Sequence, residues 1–273
     1  HSAFDFEGHN PEIIDYDLNQ HYQKLYETCF FKELFEKVPD SYRIMLDKQY
    51  RCHSNIMDVF NHFYSANGKG LIVGLSNQND LKQHNLLIKS NGITLIEPHN
   101  HIYFVNCTEY ESSLDSESSS KINKQEADVI SKLLKLINDQ YGNMIESGEI
   151  RKDAKKDERK SIGVICTYRD QARHIKNSIK GMKFPNVSSR REERLIINTV
   201  DDFQGDERDI ILVSMVRNPR GDRYSTEFID QFERINVALS RARCMLVIVG
   251  SQEFLSRSSI NLPDINGRKE LDR

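Results

Sequence analysis

The chain has 273 residues, 38% hydrophobic and 29% charged, enough apolar material for one large domain or two small ones. Its formal net charge of −3 excludes a global basic field as the source of nucleic-acid affinity and leaves only local patches. No apolar run approaches a membrane span, and the first residues, HSAFDFEGHNPE, have neither the basic nor the apolar part of a secretion signal, so the sequence reads as an intracellular, cytoplasmic protein with no membrane partner.

The first residue is His rather than Met, which predicts a segment of a longer polypeptide. Residues 1–42 read as a helical lead-in: Tyr22, Leu25, Tyr26, Cys29, Phe30, Leu34 and Phe35 recur with a period of 3.6 until Pro39 ends the pattern. Arg43 to Arg51 then pass from a short apolar run to Lys48-Gln49-Tyr50-Arg51, and Ser54 is placed to cap a helix with Ile56, Val59, Phe60 and Phe63 inward. Gly68 to Asn91 give loop and edge signals only. His101–Cys107 reads as a strand and Glu111–Lys121 as a Ser-rich, acidic loop unable to form a core. Ile122 to Tyr141 show helical spacing, with Gly142 as the stop. Arg151–Lys160 alternates charges and reads as a solvated loop.

From Ser161 strands and helices alternate: SIGVICT as a buried strand, YRDQARHIKNSIKG as a helix, RLIINTV as a strand, DDFQGDERD as a loop and IILVSMV as a strand. Ile235, Ala238, Leu239 and Ala242 then form one helical stripe, which places Arg234 and Arg241 on one face and turns Arg243 about 200° away from Arg241. Cys244–Gly250 follows as a strand apolar on both sides. This alternation predicts an α/β fold, a mainly parallel sheet over residues 43–255 with helices on both faces, followed by a tail at 256–273. Ligands of such sheets gather at the carboxyl ends of strands, where the sequence places Thr167–Arg169, Thr199–Glu207, Arg217 and Lys48–Arg51. The five cysteines, at 29, 52, 107, 166 and 244, show no C-x-x-C pairing and read as reduced, buried thiols, and no metal ligands are assigned.

No phosphate-binding loop is present: Gly68-Lys69 is followed by Gly70, and neither G-x-x-x-x-G-K-[ST] nor G-x-G-x-x-G occurs. No buried strand ends in an Asp-Glu pair for Mg2+. The chain alone therefore lacks the parts of a complete nucleotide triphosphatase site.

Four strings occur in order: QYRCHSNIMDVFNHFY (49–64), IGVICTYRDQ (162–171), NTVDDFQGDERDIILVSMVR (198–217) and ERINVALSRARCMLVIVGS (233–251). Together they resemble the second, RecA-like motor domain of superfamily 1 helicases, in the Upf1-like branch. The resemblance implies an ATP-dependent helicase or translocase of 5′-to-3′ polarity. Its ATP lies between two RecA-like domains, with the phosphate loop and the Mg2+ ligands supplied by an N-terminal domain outside this segment, so the segment alone is expected to be inactive. It implies that Arg51 and Arg241 contact the γ-phosphate, where a permanently charged planar fork stabilises charge in phosphoryl transfer. It also implies that Tyr50 stacks on adenine beside Gln49, that Glu207 accepts from a ribose hydroxyl after Gln204, and that Gly205 admits the nucleotide close to the backbone. Thr167, Tyr168, Thr199 and Asp201 would hold single-stranded DNA or RNA by its backbone. The chain departs from the family where Cys166-Thr167-Tyr168-Arg169-Asp170-Gln171 stands for Thr-Pro-Tyr-Arg-Gly-Gln, and where Cys52 and Ser54 replace Met and Pro. The alternative is a degenerate ATPase-like scaffold that binds nucleic acid or a partner without motor activity.

Overall fold

The computed structural model describes residue 34 and residues 37–44, 46–65, 70–112, 120–152, 158–187, 194–219 and 232–257. The chain divides into two units, His1–Leu46 and Asp47–Arg273. In the first, Leu34 and Lys37 are helical and the helix ends before Pro39, with a single 3-10 turn at Asp40–Tyr42. The earlier part of the expected lead-in helix, the core of the Ser-rich loop (113–119) and residues 153–157 of the charged run lie outside the described residues.

The second unit begins with β1 (Lys48–Gln49), α1 (Ser54–Ser65) and β2 (Ile72–Val73), a helix joining two short parallel strands. After α2 (Gln78–Leu81) come β3 (Ile88–Ser90) and β4 (Ile93–Ile96), an antiparallel hairpin in the stretch the sequence leaves as loop. Its signal is Asn91-Gly92: both residues have positive φ, 50° and 79°, as a tight two-residue hairpin turn requires.

The main sheet contains β5 (Ile102–Asn106), β6 (Ile162–Cys166), β7 (Leu195–Thr199), β8 (Arg208–Ser214) and β9 (Ala242–Gly250). The spatial order is β5-β9-β8-β6-β7, and every pairing is parallel. Helices α3 (Lys124–Glu146), α4 (Arg169–Ser178), α5 (Phe232–Leu239) and α6 (Gln252–Arg257) are the remaining elements among the described residues. Successive residues of each central strand enter opposite cores. Val164, Leu212 and Val247 pack with Ile130 and Leu134 of α3 and Ile175 of α4, whereas Ile165, Ile211, Val213 and Leu246 pack with Ile56 and Phe60 of α1 and Ile235 and Leu239 of α5. With both faces covered, the strands are continuous apolar runs, as expected for the RecA-like α/β fold. Fully burying each such side chain contributes about 1.5–3 kcal/mol.

Several boundaries differ from the sequence reading: α1 includes Ser54, expected as its cap, and α4 ends at Ser178, short of Gly181. Helix α3 runs through Gly142 to Glu146; a Cβ on Gly142 would stand 2.9 Å from Asn186 Nδ2, so this glycine is a packing notch for Asn186 and not a helix stop. Strand β8 starts two residues earlier, at Arg208, and the chain leaves the sheet after Ser214. Helix α5 ends at Leu239, and Ala242, expected on its apolar stripe, opens β9 because its backbone is paired with Arg208 of β8. Arg241 therefore sits in a turn and Arg243 on a strand.

The link from β7 to β8 fixes where the polar residues gather. β6 lies between these two strands, so residues 200–207 must cross from the carboxyl end of β7 to the amino end of β8 over the face of β6. Phe203, fully buried, occupies the space over Gly163, where a Cβ would come within 2.6 Å of its ring. Among the described residues no helix is long and apolar enough to cross a membrane.

Candidate nucleotide and nucleic-acid site

Tyr50 and Arg51 follow the carboxyl end of β1, as the sequence reading has it, but Glu207 does not stay at the carboxyl edge with Thr199: the crossing segment carries it to the amino end of β8, where it meets Arg51 beside Arg241, which precedes β9. The chain leaves β1 through a corner built by Gln49, whose Oε1 accepts from the backbone N–H of Arg51 (2.9 Å) and of Cys52 (3.0 Å) while its Nε2 donates to Cys52 O (3.1 Å). This corner turns Arg51 inward. Its Nε donates to Glu207 Oε2 at 2.8 Å and its Nη1 to the Ser240 carbonyl at 3.1 Å. Both members of the pair keep part of their surface in water, 40% for Arg51 and 38% for Glu207. The other Glu207 oxygen takes Arg243 Nη1 at 3.3 Å.

Arg241 lies beside them. Its backbone carbonyl accepts from Arg208 N (3.1 Å), and its Nη1 lies 3.4 Å from the Asp206 carbonyl. Its Nε is buried without a hydrogen-bond partner. Burial, and then the neighbouring Arg51 cation, lower the pKa of Arg241, so both disfavour its charge. Arg241 and Arg243 both reach the Asp206–Glu207 segment, which corrects the expectation that they point apart. Arg234 does not join them: it pairs with Asp201.

Tyr50 is 55% exposed, and its ring lies against Gly74, where a Cβ would be 2.2 Å from the ring. A glycine under an exposed aromatic ring holds one face of the ring and leaves the residue accessible to a stacking partner. Gln204 and Gly205 are exposed on the crossing segment; Gly205 has φ 90° and open space around it.

The four residues expected on the nucleic-acid track stay at the carboxyl edge, where Cys166, Thr199 and Ser214 are level in register. Thr167 Oγ1 donates to Met215 O (3.0 Å), Thr199 Oγ1 donates to Asp202 Oδ2 (2.8 Å), and Tyr168 Oη accepts from Arg217 Nη1 (3.1 Å). Behind them lies a buried network that sequence reasoning does not reach. Gln171 Nε2 donates to Ser214 Oγ and to Asn123 O, both at 3.0 Å, while its Oε1 accepts from Asn123 N at 2.9 Å. Ser214 Oγ donates in turn to Glu126 Oε2 at 2.6 Å. That oxygen also accepts from Val216 N at 2.9 Å. Val216 has φ 66°, a strained value for a β-branched residue, in a three-residue turn closed by Arg217 N to Met215 O. Burial raises the Glu126 carboxyl to about 7 against the hydrogen bonds from Ser214 and Val216.

Next to the arginine corner, the rings of His53 and His101 stack 3.6 Å apart, and the ring of His84 meets His101 edge-on. Burial lowers the pKa of all three, His53 and His84 to about 4. Cys52, Cys107, Cys166 and Cys244 are free and buried; burial raises all four thiols, Cys52 and Cys107 to about 12 and Cys244 to about 11, so none is reactive near neutral pH. Cys29 lies outside the described residues.

A family model described as AAA domain (AAA_12) matches residues 26–253. The chain is 29% identical to the DNA replication ATP-dependent helicase/nuclease JHS1 of Arabidopsis thaliana over 88% of its length. It is 39% identical to the DNA polymerase alpha-associated DNA helicase A of Saccharomyces cerevisiae over 36%, and 29% identical to Regulator of nonsense transcripts 1 of Dictyostelium discoideum over 60%. It spans 16%, 13% and 11% of those three proteins. The chain thus belongs to this AAA domain family, the family of the motor domains of Upf1-like superfamily 1 helicases.

Proposed function

We propose that residues 43–255 form the second motor domain of an intracellular ATP-dependent helicase or translocase, acting with an N-terminal RecA-like domain of the same polypeptide. The observation that carries this reading is the arginine corner: Arg51 and Arg241 stand together at one sheet edge, and Arg241 keeps a buried, unpartnered Nε. Two adjacent guanidinium groups repel each other, so an anion placed between them relieves that repulsion and meets planar donors suited to a phosphate. The residues fit ATP as substrate: Tyr50 offers its exposed ring to the base, Glu207 accepts from the ribose, and Arg51 and Arg241 meet charge that develops on the γ-phosphate. Mg2+ and the phosphate loop are assigned to the N-terminal domain; among the described residues no group of three or more His, Cys, Asp or Glu could hold a metal. Thr167, Tyr168, Thr199 and Asp201 would face single-stranded DNA or RNA, held by its backbone and therefore sensitive to salt.

The test is hydrolysis by the full-length protein with and without single-stranded DNA or RNA. Arg241→Ala is expected to lower stimulated kcat by about 10³-fold or more, and Arg241→Lys nearly as much because lysine lacks the fork, while strand binding persists. A kcat within a fewfold of wild type would remove the motor assignment and leave the scaffold reading.

A further inference from the structure

Arg243 has no assigned role in nucleotide recognition, yet it is the most tightly held group of the corner. Asp209 Oδ1 accepts from its Nε at 3.1 Å and its Nη2 at 2.7 Å. Asp209 is itself fixed, since its Oδ2 accepts from Ser161 N at 2.9 Å and Ser161 Oγ at 2.8 Å. The backbone carbonyl of Arg243 accepts from His53 N at 2.9 Å, two residues after Arg51. Arg243 thus grips the corner from two sides: its backbone holds the chain that carries Arg51, and its Nη1 reaches Glu207 at 3.3 Å. Burial disfavours the Asp209 carboxylate, but Ser161 and Arg243 outweigh it and leave its pKa below the usual value.

Glu207 consequently divides its two oxygens between two cations, Oε2 for Arg51 and Oε1 for Arg243. Without Arg243, both carboxylate oxygens become available to the Arg51 fork, and a bidentate pair would turn the carboxylate away from a sugar hydroxyl and hold Arg51 back from a phosphate. We propose that Arg243 is a positioning residue: anchored by Asp209, it holds Glu207 in the orientation that reads the ribose and leaves Arg51 attached through one oxygen only. This rests on the motor reading above.

The experiment compares ATP with 2′,3′-dideoxy-ATP as substrates of the full-length protein in the presence of single-stranded nucleic acid. Wild type is expected to favour ATP in kcat/KM, Glu207→Gln to lose about tenfold of that preference, and Arg243→Gln to lose a similar factor. The double variant should lose no more than either single one, because both act through one carboxylate. Arg243→Gln leaves Asp209 unpaired and partly buried, so the paired change R243Q/D209N, which removes both charges together, is measured beside it. A purely structural Arg243 would scale both substrates equally and leave the ratio unchanged, and that outcome overturns the proposal, as does a wild type that does not distinguish the two nucleotides. Absence of any stimulated hydrolysis by wild type, or hydrolysis that survives Arg241→Ala, would instead mark failure of the motor reading.

Discussion

The two edges of the main sheet carry polar residues under different constraints. At the amino edge Arg51 and Glu207 are each more than a third exposed, and charges outnumber neutral groups. At the carboxyl edge Asn123, Gln171, Ser214 and Glu126 are fully buried, and a chain of donors runs from Gln171 through Ser214 to Glu126 Oε2, while Glu126 Oε1 has no hydrogen-bond partner. Half-solvated ion pairs contribute little to stability and exchange partners readily, whereas breaking buried hydrogen bonds strands polar groups away from water and is costly. The first edge is suited to chemistry in which partners change, the second to holding a backbone surface in shape.

Substitutions at the two edges should therefore fail in different ways. The largest expected effect is that of Arg241→Ala, a loss of stimulated hydrolysis worth about 4 kcal/mol or more in barrier, with the melting temperature of the protein little changed. Gln171→Ala should do the reverse. It strips partners from Asn123 N, Asn123 O and Ser214 Oγ in the core and is expected to cost about 3 kcal/mol of stability in denaturant titration. If Gln171→Ala left stability intact but abolished hydrolysis, the contrast between the edges would be void.

Acidity separates them next. With His53 and His84 held near 4 in the fold and 6.5 as the ordinary value, the unfolded chain binds protons that the folded chain refuses, so stability falls as pH drops from 6.5 towards 4. Each histidine can contribute up to about 1.4 kcal/mol per pH unit in that window. Glu126 acts oppositely: its carboxyl, raised from 4.5 to about 7, favours the protonated fold, and that contribution is lost as pH rises through 7. Two histidines against one carboxyl leave a net loss on acidification. In thermal melts, Glu126→Gln should steepen the loss below pH 6.5 and gain on wild type at pH 8; an unchanged pH profile would show that Glu126 does not titrate there. The smallest effect is expected at Tyr50. Because stacking stabilises ground and transition states alike, Tyr50→Ala should raise KM for ATP roughly tenfold with kcat nearly constant, and a change confined to kcat would argue against a stacking role.

Much of this was legible in the chain. The apolar runs at Ile162, Ile210 and Cys244 declared a parallel sheet, because strands covered on both faces have no polar alternation. The boundary after Leu239 was not legible, since Ala242 satisfies the helical spacing equally well and only its pairing with Arg208, a partner 34 residues earlier, draws it into β9. Nor could the strings show that Thr199 and Glu207, eight positions apart, lie at opposite edges of the sheet. Glu126 stands next to Ala127 on the buried side of α3, and its acceptor role depends on Ser214, 88 positions away. At the Tyr50 site the sequence offered the aromatic ring, while the glycine beneath it, Gly74, carried no mark that distinguishes a ring support from a loop residue.

The stretch from Val200 to Glu207 is also a tether of fixed length. Thr199 belongs to one edge and Glu207 to the other, and the span between them is clamped midway where Phe203 sits over Gly163. Any change that displaces the Phe203 ring therefore moves the midpoint of the span that joins the two edges. The clamp exists because residue 163 has no side chain: an alanine there would bring its methyl within 2.6 Å of the Phe203 ring and 2.7 Å of Ile211 Cδ1. A single methyl group, at a residue that belongs to neither edge, would thus force Phe203 or Ile211 to shift, and Phe203 lies on the span that joins the two edges.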